Sequence, residues 1–248
     1  MRTIALVDHT KRHPPPSGAL AAIAEALTIQ VERDFAPAWG VMTTRFTVGG
    51  RGDKIHFFDS AHQATDYGWH IVDGHGLPYA HVFAAQSFAN KSGWITGTDS
   101  ISATASHEAL EMLADPAANE FCLDDGARLW SREVCDPVQE NLYGIRAGGM
   151  KVLVSNFVLP AYFNPWAPGP YDHLGVLKKP FSLAKGGYAV YERASADGES
   201  RGHDAPRRRE VALDLDGECR RDRVEDARRR GMLLGVIDQR DRAHENAR

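Results

Sequence analysis

The stretch TASHEALEMLADP, Thr104 to Pro116, constrains this chain more than any other. Apolar residues at helical spacing predict a helix over about Ser102–Ala114, with Asp99 or Ser100 as its cap and Pro116 as its stop. On that helix His107, Glu111 and Asp115 stand at i, i+4 and i+8. At about 100° per residue they span roughly 80° of arc and share one face. Glu108 points to the side. Ala105, Ala109, Leu110, Met112 and Leu113 supply the apolar surfaces. Any fold that packs this helix must place a histidine and several acids beside a buried surface, which is costly unless they are paired. The plain alternative is a surface amphipathic helix with scattered charges.

An imidazole and a carboxylate one turn apart can converge on a single cation, the geometric reason the HExxH pattern works. Here Glu111 stands where that pattern has its second histidine. Glu108, beside the metal rather than on it, is placed to accept a proton from an activated water. A catalytic ion needs three protein ligands and an open position, so one more ligand must come from elsewhere. The segment REVCDP offers Glu133 first and Asp136 second. If extended, it points them to opposite faces, so one binds metal while the other steadies His107 through its free ring nitrogen. Cys135 alternates with both and reads as a small buried hydrophobe or a competing soft ligand.

Elsewhere, strands are expected at Thr3–Asp8, Val41–Val48, Lys54–Asp59 and Tyr79–Ala85. A helix is expected from Ser17 to the residues before Pro37, through Ile23, Leu27, Val31 and Phe35. The segment after Pro116 reads as a hairpin turning at Asp125-Gly126, with strand continuing through REVCD. Lys151–Leu159 is a buried strand or short helix. Pro160–Gly175 is irregular and rich in aromatics, and GGYAVYE closes the body as a strand. From Ala194 to Arg248 there are 13 arginines, no lysine and 13 acids, which reads as a disordered or partly helical tail free to meet a partner. The domain plan is therefore a body over 1–193 and a tail over 194–248. The fold class is α/β (α+β), a mixed sheet with one site-bearing helix.

A net charge of -4 gives no argument for nucleic acid or an anionic membrane. Cys122, Cys135 and Cys219 are too few for a disulfide framework. No apolar run approaches the ~20 residues of a membrane span, and no signal peptide is legible. A cytoplasmic location is the default expectation, with export that needs no cleaved signal left open. His70, Asp73, His75 and His81 cluster near the turn DGHG as exposed loop histidines, a second metal site or a cleft lining. His81 is the strongest candidate there for touching substrate. Tyr162 and Tyr171 are candidates for stabilising an oxyanion, against a plainer role as core or lid aromatics.

SHEALEMLADP followed by EVCDP resembles the zincin-like metallopeptidases, in a variant group with HExxE in place of HExxH. The pattern is roughly S-H-E-x-x-E-x-x-x-[DN]-P, then E-[IV]-x-D. Similar segments occur in bacterial proteins of unassigned role and in phosphate-induced, Exordium-like plant proteins. The likeness covers about Gly76 to Asp136. It implies a zincin-like fold, His107, Glu111 and Glu133 as metal ligands, and Glu108 as general base, acting on a peptide or protein. It also implies that GLPYAHVFA is the edge strand that lines the cleft and pairs with extended substrate. Zinc is the implied metal. The carboxylate at Glu111 brings calcium or manganese within range and acidifies water less than imidazole would. The competing expectation is a binding module in which the same residues hold a structural ion, and a third is a metal-free scaffold.

Overall fold

The computed structural model describes residues 1–61, 67–193 and 209–213, with 192–193 and 209–213 described for their backbone alone. Strand β1 (Arg2–Asp8) buries Ile4, Ala5 and Leu6 in succession. A continuous buried run marks a strand covered on both faces. It pairs in parallel with β2 (Thr44–Val48) on one side and β3 (Asp53–Phe58) on the other. Parallel neighbours need a crossover, which helix α1 (Ala19–Gln30) supplies between β1 and β2.

Two details of that crossover differ from the sequence expectation. The residue before α1 is Gly18 at φ 78, not Ser17. The helix also does not stop before Pro37. A π-helical stretch over Val31–Phe35 resets the hydrogen bonding, and α2 (Ala36–Trp39) begins with Pro37 in its first turn.

The sheet order is β2-β1-β3-β5-β4, with β5 (Pro78–Phe83) parallel to β3 and β4 (Gly68–Val72) antiparallel to β5. The edge strand is therefore β4, and the strand within GLPYAHVFA is internal, which corrects the expectation. The cause is the turn at Asp73. Its Oδ1 accepts from His75 N at 2.8 Å and Leu77 N at 2.9 Å, folding β4 back onto the outside of β5. After Phe83 the chain turns into helix α3 (Ala84–Ala89), where strand end and loop were expected.

Helix α4 (Ile101–Ala114) starts at Ser100, whose hydroxyl accepts from Ala103 N at 3.3 Å, and ends at Asp115 in a non-helical conformation before Pro116. It is no surface helix: Ile101, Ala105, Ala109, Leu110 and Met112 are fully covered. One side packs on β4 and β5. Another packs on a hairpin of β8 (Leu142–Ala147) and β9 (Met150–Ser155). Small polar residues allow that approach. Ser102 Oγ donates to Leu153 O at 2.7 Å. Ser106 Oγ donates to Gln30 Oε1 at 2.7 Å and accepts from Ser155 N at 3.0 Å.

The segment after α4 forms β6 (Phe121–Leu123) and β7 (Arg128–Ser131), turning at Asp124–Ala127 as expected. Asp124 Oδ1 accepts from both Gly126 N and Arg128 N at 2.9 Å. A second sheet runs β11-β10-β7-β6, with β10 (Tyr188–Arg193) paired to β11 (Arg209–Leu213). Five residues assigned from sequence to the tail thus belong to this sheet. The rest of 194–248 lies outside the described residues. No helix among the described residues is long and apolar enough to cross a membrane.

Candidate metal centre

Three elements converge at the middle of α4. The helix contributes His107, Glu108 and Glu111, the edge strand β4 contributes His70, and the segment after β7 contributes Glu133, Cys135 and Asp136. That segment is not the strand expected through Asp136. It leaves the sheet after Ser131 and enters a 3-10 turn at Asp136–Val138, with Pro137 in its first turn. Glu111 anchors it: its Oε1 accepts from Cys135 N at 3.1 Å.

His107 Nε2 lies 3.2 Å from Glu111 Oε2 and 3.0 Å from Asp136 Oδ1. Asp136 Oδ1 is covered and has no aligned hydrogen-bond donor, despite that short approach. One ligand atom each from His107, Glu111 and Cys135 lies within 4.8 Å of the others, and the same holds for His70, Glu108 and Glu111. Cys135 is a free, buried thiol.

The two downstream acids divide the centre between them. Asp136 stands beside His107, where Glu133 was the first expectation. The Glu133 carboxylate acts on His70 and Glu111, and its Oε2 is covered without a hydrogen-bond partner. Asp115 serves elsewhere: its Oδ2 accepts from Glu120 N at 2.7 Å and closes the turn below α4. Buried Tyr162 lies near Asp136, whose charge adds to burial in raising the phenol pKa, and its hydroxyl has no hydrogen-bond partner. Tyr171 is not drawn into the cluster: its hydroxyl donates to Ala167 O at 3.0 Å.

Tyr188 joins the centre without having been singled out, and His70 joins it from the group near the DGHG turn that was read as loop histidines, a second metal site or a cleft lining. Of the four residues near the DGHG turn, His70 alone faces α4. Alternation in GWHIV carries the signal: Gly68, His70 and Val72 share the face toward α4, and His70 is the one buried residue of β4. Tyr188 on β10 is buried against Asp136, and burial together with Asp136 and Glu111 pushes its phenol far up.

Electrostatically the cluster calls for positive charge. Burial raises the Glu111 carboxyl, with His107 opposing and Asp136 adding to the rise. Burial and Glu111 push Glu133 well up. Burial opposes charging His70, yet Glu108, Glu133 and Glu111 outweigh it and hold its pKa at about 10. His107 is likewise held well above its usual range, with Glu111 and Asp136 overcoming burial. Clustered buried carboxylates with uncapped oxygens, beside imidazoles, fit a divalent cation in both charge and donor chemistry.

His81 corrects the sequence reading. It sits on the opposite face of the sheet, tilted against Trp69 at 4.2 Å and edge-to-face with Phe58 at 4.9 Å between ring centroids. It borders a groove of about 350 Å³ lined also by Lys54, His56 and Tyr79, remote from the α4 cluster. Burial and the nearby His56 and His9 lower its pKa to about 4. A histidine whose folded pKa lies below its unfolded value of about 6.5 is neutral in both states at higher pH. It subtracts stability progressively as pH falls from about 6.5 toward 4. His81→Phe should therefore flatten the loss of Tm across that window. Equal slopes for the two proteins would show that His81 does not set the acid limb.

These features define a mixed α/β protein with a buried histidine–carboxylate cluster at metal-ligand spacing. No family model, no curated protein and no solved structure matches the chain.

Proposed function

We propose that the protein is a metal-dependent peptidase of zincin-like fold. The observation that carries this reading is the convergence of Glu111 Oε2 and Asp136 Oδ1 on His107 Nε2, at 3.2 and 3.0 Å. His107, Glu111 and Asp136 would hold the ion, with Glu133 and Cys135 close by. A bound divalent ion supplies Lewis acidity, polarising a carbonyl and acidifying water. Zinc suits the imidazole and thiol donors, and manganese or calcium the oxygen-rich remainder.

The chain's own residues supply the rest. Glu108, one position past His107, is placed as the general base, and His70 Nδ1 lies 3.6 Å from its Oε2. The Tyr162 hydroxyl, unpartnered and close to Asp136, is a candidate donor to a developing oxyanion. Strand β4 stands at the sheet edge beside α4, so its outer side is where an extended peptide would add as a further strand. Mixed-sheet architecture with a site-bearing helix against an antiparallel edge strand supports the zincin-like reading.

A second reading has its own observation. Only 15% of the His107 side chain is exposed, and 8% of Glu108. So closed a centre also suits a structural ion in a binding module. Elemental analysis of native protein and His107→Ala, with turnover of an unbiased peptide library, separates the two. The peptidase reading expects bound metal and cleavage in native protein, both lost in His107→Ala. Metal without cleavage would favour the binding module, and native protein that neither carries nor recruits metal would remove both readings.

A further inference from the structure

We propose that the centre takes two divalent cations, with Glu111 shared between a first subsite at His107 and a second at His70 and Glu108. This rests on the reading of the cluster as a metal centre and extends it.

The ligands reach Glu111 from three elements. His107 and Glu108 lie with it on α4, Cys135 and Asp136 come from the segment after β7, and His70 comes from the edge strand. Glu111 Oε1 is occupied by Cys135 N. Its Oε2 faces both histidines, 3.2 Å from His107 Nε2 and 3.8 Å from His70 Nδ1. One oxygen between two imidazoles is the arrangement of a bridging ligand, and ions bridged this way stand roughly 3.5–4 Å apart.

Distances on the His70 side favour coordination over hydrogen bonding. His70 Nδ1 is 3.6 Å from Glu108 Oε2 and 3.8 Å from Glu111 Oε2. Both exceed the ~2.7–3.2 Å of a good N–H···O bond. They are close to the separation of two ligands on one ion with bonds of about 2.0–2.2 Å. Glu133 Oε2, covered and without a hydrogen-bond partner, belongs to a carboxylate that acts on His70 and Glu111. It can complete the second subsite.

Charge permits both ions. Glu108, Glu111, Glu133 and Asp136 are four carboxylates in one cluster, enough to balance two divalent ions when His107 and His70 bind as neutral imidazoles. Filling the second subsite also takes Glu108 from its role as base, so excess cation would suppress hydrolysis.

The test is a Mn2+ titration of the full-length protein, read by bound manganese per chain and by low-temperature electron paramagnetic resonance. Two ions per chain with a spin-coupled signal are expected. His70→Ala should bind one ion and show the uncoupled six-line signal, with near-UV circular dichroism confirming its fold. One ion at saturation in native protein would overturn the second subsite and leave the metal centre standing. Two uncoupled ions, or two ions retained in a folded His70→Ala, would also overturn it. No bound manganese, and none of zinc or calcium, would remove the metal centre as well. The native stoichiometry decides the matter even if the variant fails to fold.

Discussion

Glu108→Gln is expected to keep the ion at His107 and to lose about 10²–10⁴-fold in kcat/KM on a cleavable peptide, the range of a removed general base. Glutamine has the shape of glutamate, so the packing of this buried side chain on α4 is preserved. The substitution removes one negative charge from a cluster that also holds Glu111, Glu133 and Asp136, so folding is not expected to suffer. His107, Glu111 and Asp136 are untouched. Metal content at low cation concentration should match native protein while turnover collapses. Turnover within a few-fold of native, with metal bound, would show that Glu108 is not the base. Loss of the ion together with turnover would make Glu108 a ligand of the first subsite instead.

Gly68→Ala should be destabilising and should displace the same carboxylate. Gly68 opens β4, opposite Val82 of β5. A Cβ built there would lie 2.8 Å from Thr104 Cγ2, 2.9 Å from Glu108 Oε1 and 2.9 Å from His81 O. Carbon does not approach these atoms so closely, and two of them belong to the packed face of α4 and the third to the backbone of β5. The strand must move away from the helix, at a cost of about 1–3 kcal/mol for an overpacked site. Moving it carries His70 away from Glu108 and pushes Glu108 from its place. A urea midpoint lowered to match, together with reduced turnover, is the expected result. Gly74→Ala, in the turn of the same hairpin, meets nothing within 4 Å and should stay within about 0.5 kcal/mol. If the two variants have the same midpoint, β4 does not pack on α4 as closely as described.

Local devices were legible because they act within a few residues. Apolar spacing located α4 and narrowed its cap to Asp99 or Ser100, of which the structure uses Ser100, and Asp-Gly located the β6–β7 turn. What failed depended on partners distant in sequence. His81 and His70 are both histidines on neighbouring strands, but register puts them on opposite faces, and only the inward one meets α4. The strand Pro78–Phe83 was expected at the edge from the resemblance alone, and nothing local records that β4 would fold back outside it. Asp136 lies beside His107 because the chain has left the sheet after Ser131, is tied to α4 by the Cys135–Glu111 hydrogen bond and enters a 3-10 turn at Asp136, which extended-strand alternation does not describe.

By itself the sequence determined a capped helix that places His107 and Glu111 one turn apart, stopped at Asp115-Pro116. That follows from backbone periodicity and needs no other part of the chain. Tertiary structure alone decided that Asp136 stands beside His107, that His70 arrives from the edge strand, and that Tyr188 closes against the acids. Those residues meet because sheet order, register and packing bring separate elements together, and no local period encodes which elements will be neighbours.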